Sequence, residues 1–107
     1  MAQISALKEA TMKILAIIDV APSAKLEAVR AEILSELKGS WALYTSGALR
    51  EAYATATPTR VVFVLEADDA AHADRELHKL PLVTQGLLTC QLIELRPFVN
   101  WSMLFAQ

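Results

Sequence analysis

Arg60-Val61-Val62-Phe63-Val64-Leu65-Glu66 sets five apolar residues, three of them β-branched, between two charges. So short a run, rich in valine and phenylalanine, suits a packed pleat and reads as a strand. Just upstream, residues 48–57 form a weaker strand rich in Ala and Thr. Strict alternation puts Leu49, Glu51, Tyr53 and Thr55 on one of its faces and Arg50, Ala52, Ala54 and Ala56 on the other. Pro58-Thr59 lies between the two runs and closes them into an antiparallel hairpin.

Working outward, Lys13-Ile14-Leu15-Ala16-Ile17-Ile18-Asp19 has the same short, charge-bounded, Ile-rich character and predicts the first strand. Residues 87–96 predict the fourth, stopped by Pro97. Helical patterns fill the two gaps. Ser23 is the expected N-cap of the first helix, with Leu26, Val29, Ile33, Leu37 and Trp41 as its buried stripe. Lys25, Arg30, Glu32, Glu36 and Lys38 fall mostly elsewhere on its circumference. Gly39-Ser40 ends or loosens this helix, and Ser46-Gly47 stops any further turn. Asp68-Asp69 caps a second helix whose stripe is Ala70, Ala73, Leu77 and Leu80, and Pro81 ends it.

The order β-α-β-β-α-β predicts an α+β, ferredoxin-like fold: an antiparallel four-stranded sheet with two helices on one face. One domain spans residues 12–97. Residues 1–11 are an N-terminal extension, and residues 98–107 are an apolar tail with Phe98, Trp101, Leu104 and Phe105 at helical spacing.

The composition narrows the function. Of 107 residues, 54% are apolar and 21% charged, as in a globular domain and unlike a disordered chain. The net charge is −2 and the ten Lys and Arg are scattered, which argues against nucleic acid as a partner. One cysteine excludes a disulfide framework and a zinc site built on cysteine pairs. Cys90, inside an apolar strand, reads as a buried thiol. The three glycines are isolated, so no phosphate-cradling loop supports a nucleotide cofactor, and no Gly-x-Ser-x-Gly elbow is present. His72 and His78 lie about 240° apart around a helix and cannot share one metal. Each can instead pair with a carboxylate four residues away, Glu76 and Asp74 respectively. The expectation is no cofactor and no metal. No run approaches the ~20 apolar residues of a membrane span, and no secretory signal is read at the start, so no membrane partner and a cytoplasmic location are expected.

Two of the strands break the usual rule for a sheet with one wet face. Residues 14–18 and 61–65 are continuously apolar, and the fourth strand is apolar on much of both faces. A second copy packed sheet against sheet is the economical cover, so a homodimer or larger homo-oligomer is expected.

Leu80-Pro81-Leu82-Val83, a short turn, the fourth strand and Pro97-Phe98 resemble the end of muconolactone isomerase-like proteins, part of the dimeric α+β barrel group. The likeness covers the element order from Met12 to Phe98, and only the Leu-Pro-Leu segment matches closely in sequence. It implies a homodimer enclosing a small-molecule cavity. It also implies cofactor-free movement of a proton that shifts a double bond in an unsaturated lactone. The family's Trp-Arg after the first helix is Leu49-Arg50 here, keeping the arginine alone. The family's acid and amine lie on the first helix, where Glu27, Arg30, Glu32 and Glu36 all stand as candidates.

From the residues themselves, Arg50 is the group to orient an acidic substrate through its planar fork, beside the small Ala52, Ala54 and Ala56. Asp19 and Glu66 close the first and third strands, and with Glu51 they are the candidate general bases if burial raises their pKa. Tyr53 is the candidate hydrogen-bond donor. Strand-end carboxylates also solvate sheet edges, and charges on an edge strand discourage aggregation. The expected function is isomerisation of an unsaturated lactone or related carbonyl compound. The alternatives are a non-catalytic homo-oligomer that binds a hydrophobic ligand and a cofactor-free oxygenase of the same barrel group.

Overall fold

The computed structural model describes residues 11–106. All of the N-terminal extension except Thr11 lies outside the described residues. Strands β1 (Met12–Val20), β2 (Leu49–Ala54), β3 (Val61–Ala67) and β4 (Leu88–Leu95) form one antiparallel sheet in the order β2-β3-β1-β4. Helices α1 (Leu26–Ala31) and α2 (Ile33–Ser46) connect β1 to β2, while α3 (Ala70–Leu77) and α4 (Pro81–Thr84) connect β3 to β4. This is the ferredoxin-like α+β arrangement that the element order predicts. No helix among the described residues is long and apolar enough to cross a membrane.

The core lies between the sheet and its helices. Ile14, Ala16 and Ile18 of β1 and Phe63, Leu65 and Ala67 of β3 alternate inward and are buried with Ala73, Leu77 and Leu80. The intervening residues face the other way. Across that open face run two rows, Glu51-Val64-Leu15-Ile93 and Tyr53-Val62-Ile17-Gln91. Both faces of the central strands are therefore apolar, and none of the described helices lies over the second one. The C-terminal 3-10 turn (Val99–Leu104) does not cover it: the large apolar side chains from Phe98 to Phe105 are between 63% and 84% exposed.

Three details differ from the sequence pattern. The first helix is not continuous and Ser23 does not cap it; α1 begins after Lys25 with no side-chain cap, and the chain breaks at Glu32 before α2. Its expected stripe is not the buried one either. Leu26, Ile33, Leu37 and Trp41 are exposed, and α2 faces the core through Glu36 and Leu43. Gly39 lies between them on the same face: a Cβ there would sit 2.9 Å from Leu80 Cδ2, so a larger residue would need the Leu80 side chain or α2 to shift.

Pro81 does not end the second helix. That helix stops at Leu77, and Pro81 opens α4 in its first turn, where a missing N–H costs nothing. Finally, the alternation of β2 is interrupted. Leu49 pairs with Leu65 and Glu51 with Val64, so an extra residue bulges at Arg50. Leu49, Ala52 and Ala54 all turn to the helix side as a result, and Leu49 parts company with Glu51 and Tyr53.

Candidate functional site

Beside β2, the helix layer leaves a gap. The small side chains of Ala52 and Ala54 stand there in place of larger ones, and α2 passes over them with Ile33 and Leu37. The result is an apolar trough of about 510 Å³, with Ile18, Phe63 and Leu88 in its lining. It continues along β2 into a second hollow of about 550 Å³ flanked by Trp41, Tyr44 and Arg50. The two share Leu37, Ser40, Ala52, Tyr53 and Phe63, so they form one channel along the sheet edge.

Glu36 lines the first hollow and is only 8% exposed, the one buried charged side chain among the described residues. Its Oε1 accepts a 2.8 Å hydrogen bond from the Leu82 N–H, one of the first-turn amides of α4 that has no partner within its own helix. Loss of water pushes the Glu36 carboxyl above the ordinary glutamate range, and the Leu82 amide opposes only part of that rise. A carboxylate with a raised pKa in an apolar hollow is the physical pattern of a general acid–base group.

Arg50, Glu51 and Tyr53 border the other end of the channel from the edge strand, with the side chains of Glu51 and Tyr53 turned to the open sheet face. The Tyr53 hydroxyl donates to Glu51 Oε1 at 2.6 Å, and this bond to a carboxylate pushes the phenol pKa up. Asp19 and Glu66 are elsewhere. Asp19 receives both arms of the Arg60 fork at 2.7 Å, and that hydrogen-bonded pair pulls its carboxyl below the usual aspartate range. Glu66 stands at the opposite end of the open face, level with Lys13, and accepts from Thr11 Oγ1 at 2.7 Å. Of the five residues singled out by sequence, three border the channel and two mark the ends of the open sheet face.

Glu36 was one of four unresolved candidates on the first helix, and its place off the apolar stripe hid it. The legible signal was Gly39 three residues on. A mid-helix glycine costs ~1 kcal/mol relative to alanine and so points to close packing on its own face.

Two other groups lie outside the channel. Cys90 is a free, half-buried thiol whose pKa burial pushes up to about 11, which favours the neutral thiol form. His72 lies 3.5 Å from Glu76, and His78 lies 3.4 Å from Asp74, the pairs that their spacing predicts. No protein-family model, curated protein or solved structure matches the chain.

Proposed function

We propose that this chain works as a homodimeric small-molecule enzyme of the muconolactone isomerase kind, moving a proton on an unsaturated lactone or related carbonyl compound without a cofactor. The observation that carries this reading is Glu36, a buried carboxyl with a raised pKa at an apolar trough. In the proposed step the Glu36 carboxylate takes a proton from the carbon next to the carbonyl. The C–H electron pair moves into the ring to give an enolate. The same carboxyl then returns the proton to a different carbon, which shifts the double bond and restores the base. The Leu82 amide holds one Glu36 oxygen, so the other is the one available for transfer. Arg50, at the far end of the channel, is the group to hold a substrate carboxylate by its planar fork.

Two copies are part of this reading. Leu15, Ile17, Val62, Val64, Ile93 and Leu95 make an apolar sheet face wide enough that a second sheet is its natural cover.

One observation favours a second reading, a non-catalytic ligand-binding oligomer. The bond from Leu82 to Glu36 also fastens α2 to α4, a structural task that needs no chemistry. Glu36→Gln separates the two, because glutamine keeps a carbonyl oxygen for Leu82 and loses the base. With a panel of unsaturated lactone acids, turnover should fall by about 10² to 10⁴ while calorimetric binding persists. Unchanged turnover in the variant removes Glu36 from the chemistry. Binding with no turnover in the unaltered chain selects the second reading.

A further inference from the structure

Glu36 divides the channel into two unlike parts. On one side lie Trp41, Tyr44 and Arg50, with Tyr44 about 12 Å further along α2. On the other side the channel runs toward the hairpin end of the sheet. There Ala54 pairs with Val61 and Val61 with Ile18, and beyond them Val20 pairs with Leu88. Val29 and Ile33 precede Glu36 in the chain and border this far half from the helix side.

Past Glu36, no polar side chain among the described residues lines the far half. Val20 and Ile33 are exposed there although apolar, and β2 offers only the methyl group of Ala54. Covering such walls is favourable in proportion to the apolar area taken out of water. The hollow, about 510 Å³, has the size that takes a drug-sized organic molecule. Its walls are mainly branched aliphatic side chains, which suit an alkyl chain better than a charged or hydroxylated one. At the opposite end Arg50 makes no ion pair among the described residues, so its fork is open to an anionic head.

We infer that the molecule held in this channel is an elongated acid, with its carboxylate at Arg50, its carbonyl segment at Glu36 and an alkyl substituent in the far half between Ala54 and Ile33. This rests on the carbonyl-compound reading above and narrows its substrate class from a compact lactone acid to one with a long apolar arm. A compact acid seated between Glu36 and Arg50 leaves the far half to water against apolar walls. An alkyl arm displaces that water, and each buried methylene tightens binding about fourfold. The bulge at Arg50 makes the room, since it turns Ala52 and Ala54 toward α2 in place of Glu51 and Tyr53.

The probes are butenolide acetic acids that carry hydrogen, ethyl, butyl or hexyl on the ring opposite the acid arm. Each is titrated calorimetrically into the full chain and followed for turnover. Affinity should climb about fourfold per methylene along the series. Ala54→Leu, which fills the far half, should erase the climb; Ala54 is exposed at the end of β2, and circular dichroism checks that the variant keeps its fold. Equal affinity across the series, with turnover, overturns the elongated ligand and leaves the isomerase reading standing. A climb without turnover of any member upholds the elongated ligand and removes the isomerisation. A climb that survives in folded Ala54→Leu places the alkyl arm elsewhere and overturns the inference. No binding by any member overturns both.

Discussion

The two halves of this fold cover the same sheet by different means. In the second half, α3 and α4 seal the sheet: Leu77 and Leu80 are at most 1% exposed, and Asp69 caps α3 by accepting from the His72 N–H at 2.8 Å. In the first half, α1 and α2 have no side-chain caps, the chain breaks between them, and the most apolar stripe points outward. α2 meets the core through Glu36, Gly39 and Leu43. One half is organised for stability, and the other keeps a hollow open beside β2 at the expense of burial.

The contrast can be broken by substitution. The largest effect is expected in the sealed half, where Leu80→Ala should lower the unfolding free energy by about 2–5 kcal/mol in denaturant titration. Leu37→Ala, the same deletion on the outward stripe, should stay within about 0.5 kcal/mol in the isolated subunit. Equal losses at the two positions would mean that α2 packs as tightly as α3. Gly39→Val comes next. Its branched side chain meets Leu80, and overpacking of this kind costs about 1–3 kcal/mol. An unchanged melting temperature would show that α2 stands farther from α4 than described. Asp69→Ala should cost about 1 kcal/mol through the lost cap, whereas Lys25→Ala at the start of α1 should cost nothing measurable.

The smallest effects separate the halves by pH. Glu36 has a raised pKa, so between the ordinary glutamate range and that higher value the folded chain holds a proton that the unfolded chain has lost. Stability falls as pH rises across this window, and Glu36→Gln should flatten the slope. If Glu36 is the base, turnover should rise over the same window. Asp19 has the opposite sign. Arg60 keeps its pKa low, so its contribution is present above the ordinary aspartate range and lost as pH falls through the depressed value. Asp19→Asn should remove that acid-side loss and leave the Glu36 window untouched. A melting-temperature series from pH 3 to pH 8 on both variants checks the two signs together.

Strand positions were legible because short, charge-bounded apolar runs rich in β-branched residues are local signals. Each predicted strand overlaps an observed one, with the boundaries of β2 drawn in most at the loop end. The capped start of α3 was legible for a similar reason, since Asp69 acts on amides of its own turn. The face of α2 was not. Periodicity ranks faces by apolarity, whereas the approach of Gly39 to Leu80 depends on a residue far along the chain. The Glu36 environment was hidden by the same long-range contact, because its amide partner is 46 residues away. Arg50, Glu51 and Tyr53 were found together because they are neighbours in sequence; Asp19 and Glu66 were joined to them only by type. The apolar second sheet face was plain from residues 14–18 and 61–65, which leave no polar alternation to read.

The bulge at Arg50 has a consequence for how the site tolerates insertion and deletion. A strand behaves as a two-frame message, and the extra residue shifts the frame between Leu49 and Ala52. With Leu49 anchored in the core and no bulge, Glu51 and Tyr53 would turn inward and the alanines outward. A polar group and a ring would then stand where the trough now has two methyl groups. The room beside α2 depends on the number of residues between Leu49 and the hairpin as much as on their identity.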